Sequence, residues 1–123
     1  MLSDSQAFSG FGVDDLDAAR AFYGQTLGLE IAEEPAGIVL QLNEETRPTF
    51  VYERPGHVPA EYTILNFGVD DVEATVDALA ARGVTFERYE GAPQDEKGIM
   101  RGQGPDIAWF KDPAGNILSV IAA

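Results

Sequence analysis

A chain of 123 residues with no cysteine and one histidine is a single domain by size, without disulfides or thiol chemistry. Its 8 basic against 21 acidic residues leave a net charge of −13, which repels nucleic acid and anionic membranes. The same charge favours cationic ligands, or simply keeps the surface solvated. The N-terminal residues 1–6 lack the basic flank and apolar run of a signal peptide, and no segment is long enough to span a bilayer. A cytoplasmic protein is expected.

In chain order, residues 7–13 alternate as a strand, with Ser9, Phe11 and Val13 towards a core and Phe8, Gly10 and Gly12 towards a cavity wall. A helix opens at Asp14 or Asp15, where Asp14 and Asp17 have the spacing of a capping box. Leu16, Ala19, Phe22 or Tyr23, and Leu27 recur at helical spacing; Gly24 weakens the last turn and Gly28 ends it. Residues 29–34, 37–42 and 49–54 are extended, with turns at Pro35-Ala36-Gly37 and Asn43-Glu44-Glu45. In the third of these strands Phe50 and Tyr52 face one way, and Thr49, Val51 and Glu53 the other.

Residues 55–60, containing Pro55, Gly56 and Pro59, read as a linker. A strand over 62–69 follows, then a helix capped by Asp70 with Glu73, with a stripe of Val72, Thr75, Val76, Leu79 and Ala80 that Gly83 stops. Residues 85–90 form the next strand. Residues 91–105 are a polar loop with a short strand near 99–101. The strands 106–111 and 116–121 close the chain around the turn Asp112-Pro113-Ala114-Gly115.

The stretch Phe11-Gly12-Val13-Asp14-Asp15 returns, residue for residue, as Phe67-Gly68-Val69-Asp70-Asp71, an offset of 56 from residue 11 to residue 67. Identity at a strand-to-helix junction, with matching patterns on both sides, indicates two copies of one supersecondary unit. The fold class is α+β: two tandem βαβββ modules, 7–54 and 61–123, whose curved mixed sheets surround a cleft, within one domain.

The pattern resembles the vicinal oxygen chelate superfamily of glyoxalases, ring-cleaving dioxygenases and bleomycin-type resistance proteins. The residues that carry the resemblance are Val13-Asp14-Asp15-Leu16, Phe22-Tyr23, Leu27-Gly28-Leu29, Val69-Asp70-Asp71-Val72, Ala81-Arg82-Gly83-Val84 and Phe110-Lys111-Asp112-Pro113-Ala114-Gly115-Asn116. The resemblance implies paired modules and a homodimer. It also implies four metal-ligand positions, which fall here on Phe8, Ile64, Ser119 and, by a looser alignment, Glu53. Two of these residues have no lone pair to offer, and one carboxylate does not hold a divalent ion. No metal and no other cofactor is expected.

With no cysteine and with its one histidine, His57, placed in the linker away from the expected cleft, no nucleophilic triad can be built. Glu53 is the one weak catalytic candidate, as a cleft base; its alternative is a surface carboxylate beside Arg54 or Lys111. Phe8, Gln41, Tyr52, Ile64, Asn66, Trp109 and Ser119 are the candidate ligand-binding residues, while the aromatics serve equally as core or a dimer seam. Arg101 either closes over a ligand or balances Asp95 and Glu96. The expectation is a metal-free protein that sequesters a small, cationic, antibiotic-like molecule. The alternative is a lyase, isomerase or dioxygenase of the same fold, and a third reading is an interaction module that presents its apolar sheet face to a protein partner.

Overall fold

The computed structural model describes residues 1–43 and 47–123, so Glu44 and Glu45 of the expected turn at 43–45 lie outside the described residues. The chain divides into two compact units, Met1–Val58 and Pro59–Ala123. In the first, a 3₁₀ turn at Leu2–Asp4 precedes β1 (Ser9–Val13), α1 (Leu16–Ala21), β2 (Glu30–Glu34), β3 (Gly37–Gln41) and β4 (Thr49–Glu53). The sheet order is β1-β4-β3-β2, with β1 parallel to β4 and the other pairs antiparallel.

The first helix is expected to open at Asp14 or Asp15 and the second to be capped by Asp70; in both copies the second aspartate takes the cap. Asp15 accepts a hydrogen bond from Ala18 N–H at 3.1 Å, and Asp71 from Ala74 N–H at 3.0 Å. Neither expected capping box forms, because the cap at Asp15 or Asp71 puts Asp17 or Glu73 one position too early to reach back. The last turn of the first helix, around Gly24, widens into a π-helical turn over Phe22–Thr26. Leu27 N–H reaches Phe22 C=O and Leu29 N–H reaches Tyr23 C=O, both at 2.9 Å, while Gly28 turns the chain at φ 75°.

The helix side of this sheet buries Val13, Ile38, Leu40 and Val51 together with Ala19 of α1 and Tyr23 of the π turn. At roughly 1.5–3 kcal/mol per large apolar side chain, that cluster holds the unit together. Thr49 sits among them with its hydroxyl bonded to Ser9 at 2.8 Å. Arg20 clamps α1 to β2, bonding Asp17 at 2.6 Å and Glu33 at 2.8 Å.

The second unit holds β5 (Thr63–Val69), α2 (Val72–Ala81), β6 (Ile107–Lys111) and β7 (Ile117–Ala122), in the order β5-β7-β6. Here β5 and β7 are parallel, and β6 and β7 antiparallel. Val72, Val76 and Leu79 of α2 are buried, as are Ala108, Phe110, Leu118 and Val120 of the sheet. The expected strand over 85–90 shrinks to one bridge between Phe86 and Phe110 and the bond from Glu87 N–H to Trp109 C=O. Its remaining backbone groups go elsewhere. The Gln94 amide donates to Glu87 C=O at 2.9 Å and Gly98 C=O at 2.8 Å, and accepts from Tyr89 N–H at 2.8 Å. The polar loop that follows is anchored by Ile99, fully buried, and by Met100, whose backbone pairs with Ile107 in both directions. Among the described residues no helix is long and apolar enough to cross a membrane.

Candidate functional site

In each unit the sheet face away from the helix carries several of the residues singled out from sequence. In the first, register places Gly10, Phe50 and Val39 side by side across β1, β4 and β3, with Gly12, Tyr52 and Gly37 in the next row. The Phe50 and Tyr52 rings stack at 6.1 Å with 24° between their planes. Beside them opens a hollow of about 560 Å³, lined by Phe8, Glu34, Pro35, Ala36, Val39, Gln41, Pro48 and Phe50. Its walls are almost wholly apolar, with one amide and one carboxylate to orient a guest, which suits a medium-sized organic molecule. Phe8 lies just before β1 rather than within it, and is 68% exposed against this hollow. An apolar ring left that open has no packing role in the isolated chain.

Glu53 is not in this hollow. It stands on the opposite face from Phe50 and Tyr52, where its Oε1 accepts from Leu16 N–H at 3.2 Å beside the N-terminus of α1. The carboxylate is therefore a second helix cap rather than a cleft base, and the loose alignment misplaced it. Within the second unit, the Lys111 ammonium pairs with Glu87 at 3.6 Å.

His57, expected away from the cleft, does not line the hollow, but it returns to the sheet beside Gly12. Its Nδ1 lies 3.3 Å and the Tyr52 ring edge 3.4 Å from the point a Cβ on Gly12 would occupy. Gly12 was the available signal, because a glycine inside a strand marks a place where something approaches the backbone closely.

In the second unit Asn66, Ser119 and Trp109 share one row across β5, β7 and β6. Ser119 is fully buried and its hydroxyl donates to Asn66 Oδ1. Trp109 is half-buried, with Tyr89 packed edge-on against it at 5.5 Å. Burial, with Glu87 adding to it, pushes the Tyr89 phenol up and keeps it protonated. Ile64, half-buried, precedes this row at a register shift between Thr63 and Leu65.

Arg101 lies in a salt-bridge cluster, reaching Glu73 at 2.7 Å, Asp106 at 3.2 Å and Asp95 at 3.4 Å. It balances Asp95, as one sequence reading had it, but its other partners are Glu73 and Asp106 rather than Glu96. Lys97 joins the cluster through Asp77 at 2.9 Å and Glu73 at 3.5 Å. Burial disfavours the Asp95 charge, yet the N–H groups of Ile99 and Lys97 and the Arg101 guanidinium outweigh it, holding the carboxyl below the usual aspartate value. A depressed pKa contributes stability above the unfolded-state value that is lost as pH falls through the folded one. The segment 91–105 is therefore expected to loosen only as pH drops below ~4. Amide exchange of residues 97–101 would then accelerate in acid in the native protein, whereas Asp95→Asn would exchange fast already at neutral pH.

The four positions at which metal-using relatives would place ligands do not form a metal site. Phe8 and Ile64 have no donor atom, the Ser119 hydroxyl is committed to Asn66, and Glu53 caps a helix. Among the described residues no group of three or more His, Asp or Glu side chains is placed to hold a metal ion. This donor set does not fit a divalent ion.

The family model for the Glyoxalase/Bleomycin resistance protein/Dioxygenase superfamily matches residues 7–120. A protein of Vibrio parahaemolyticus named "Probable lactoylglutathione lyase" is 27% identical over 127 residues, covering 89% of this chain and 83% of its own. The crystal structure of a lactoylglutathione lyase from Agrobacterium tumefaciens superposes with a TM-score of 0.67 at 23% identity, covering 98% of this chain and 94% of the other. That of a glyoxalase/bleomycin resistance protein from Streptomyces sp. CB03234 gives 0.63 at 24% identity, covering 95% and 99%. With the repeat, the two mixed sheets and the match over nearly all of its length, the chain belongs to the glyoxalase/bleomycin resistance protein/dioxygenase superfamily.

Proposed function

We propose that this protein is a metal-free member of its family that sequesters a small organic molecule against the helix-free faces of its two modules. The observation that carries this reading is the hollow of about 560 Å³ in the first unit, with an exposed Phe8 where a metal ligand would otherwise stand. Glu34 on its rim and the net charge of −13 favour a guest with a cationic group, steered by a field that added salt weakens. The modules 7–54 and 61–123, joined by 55–60, act in this reading as one domain of a cytoplasmic homodimer.

Calorimetric titration against a panel of cationic aromatic compounds, at low and high salt, tests it. Binding that weakens with salt is expected, and silence across the panel removes the proposal. Val39→Trp, which fills the hollow from a half-buried wall position, is expected to weaken binding by more than about tenfold with unchanged far-UV circular dichroism.

A second reading, a lyase or isomerase working without metal, is favoured by the approach of His57 and Tyr52 over Gly12 on the same face. The name of the Vibrio relative makes lactoylglutathione the first substrate to try. Turnover that survives chelators and disappears in His57→Ala would establish this reading over sequestration.

A further inference from the structure

The second unit presents chemistry that the hollow of the first does not share. Ser119 is completely buried, so its hydroxyl proton needs an internal acceptor, and Asn66 Oδ1 is that acceptor. This bond decides which way the amide points. Turned over, Asn66 would set Nδ2 against the serine oxygen and strand the hydroxyl proton. The carbonyl of Asn66 is thus turned to Ser119, and its NH₂ group, on an exposed residue, is left with nothing accepting from it among the described residues. In the same row stands the Trp109 indole, braced edge-on by Tyr89 and so held as a flat, stiff platform.

Resting on the reading that the helix-free faces bind a guest, we propose that this row takes a planar acyl group on an aromatic ring: a carboxamide, a carboxylate or a conjugated carbonyl. The ring lies on Trp109 and the carbonyl oxygen accepts from Asn66 Nδ2. A ligand whose polar group can only donate, such as an ammonium, meets that NH₂, because the carbonyl oxygen is turned to Ser119. Ser119 is therefore a positioning residue: it never touches the ligand, but it sets the polarity that Asn66 shows. This preference is opposite to that of the first hollow, where Glu34 offers acceptors.

Trp109 is the only tryptophan of the chain, so its emission reports this face alone. The full-length protein would be titrated with benzamide, benzoate and benzylamine. Saturable quenching by the first two is expected, with benzylamine weaker by about tenfold, the worth of one hydrogen bond to a committed partner. Asn66→Asp keeps an acceptor for Ser119 but removes the donor, so the preference should reverse towards benzylamine. Ser119→Ala frees the amide to turn over, which should narrow the gap between benzamide and benzylamine without abolishing quenching. Unsaturable quenching by all three compounds, or an unchanged preference in Asn66→Asp, overturns the proposal. Saturable benzamide binding here, with no response in the cationic panel, would sink the hollow of the first unit and leave this subsite standing.

Discussion

Gly37→Ala is expected to cost the first unit about 3 kcal/mol, well above a typical surface substitution. A Cβ on Gly37 would fall 2.1 Å from the Val51 carbonyl oxygen, 3.0 Å from its carbon and 3.1 Å from the Tyr52 Cα. All three obstacles are backbone atoms, so no change of rotamer relieves them. The β3–β4 pair must part where Gly37 faces Tyr52 and Ile38 faces Val51. Pro35 and Ala36, the adjoining wall of the hollow, would move with it. Thermal unfolding should show a melting temperature lower by about 10 °C. Gly91→Ala is the control: Gly91 has φ 82° but open space around it, so only backbone strain of about 1 kcal/mol applies. Equal losses in the two variants would show that close approach is not what Gly37 provides.

Phe110→Ala is expected to cost about 3–5 kcal/mol, the range for emptying a large aromatic site in a core. Phe110 is fully buried, faces Leu118 across the sheet and holds the Phe86 ring at 5.6 Å. Phe86, bridged to Phe110, and Glu87, bonded to Trp109 C=O, tie the stretch just after α2 to β6. Losing the Phe110 ring should free that segment and expose the neighbouring Trp109. Denaturant unfolding should record the loss of stability, and the native emission of Trp109 should shift to longer wavelength. Phe8→Ala makes the opposite case, since a ring 68% exposed contributes little to folding while its loss should reduce ligand binding.

The repeat, the order of elements and most sheet facing were legible in the sequence because each rests on local periodicity. The Asp-Asp pairs gave the helix starts only to within one residue, since either carboxylate can cap and backbone geometry chooses the second. The strand expected over 85–90 was not recoverable, because its backbone partners are taken by the Gln94 side chain, whose reach no pattern encodes. Glu53 is a different case: alternation within its own strand sets it opposite Tyr52, and that local periodicity outweighs a loose family alignment. His57 was missed because a linker leaves no periodicity from which to read a direction. The bond between Ser119 and Asn66 joins residues 53 apart in sequence, and only the strand register brings it into view.

The two copies of one unit have come to present unlike rows: Gly10, Phe50 and Val39 in one, Asn66, Ser119 and Trp109 in the other. Each row draws its residues from the strands of its own unit, so a substitution in one row leaves the residues of the other as they are. Under the proposed function, duplication makes ligand choice divisible, with half of the recognition open to change while the other half is kept.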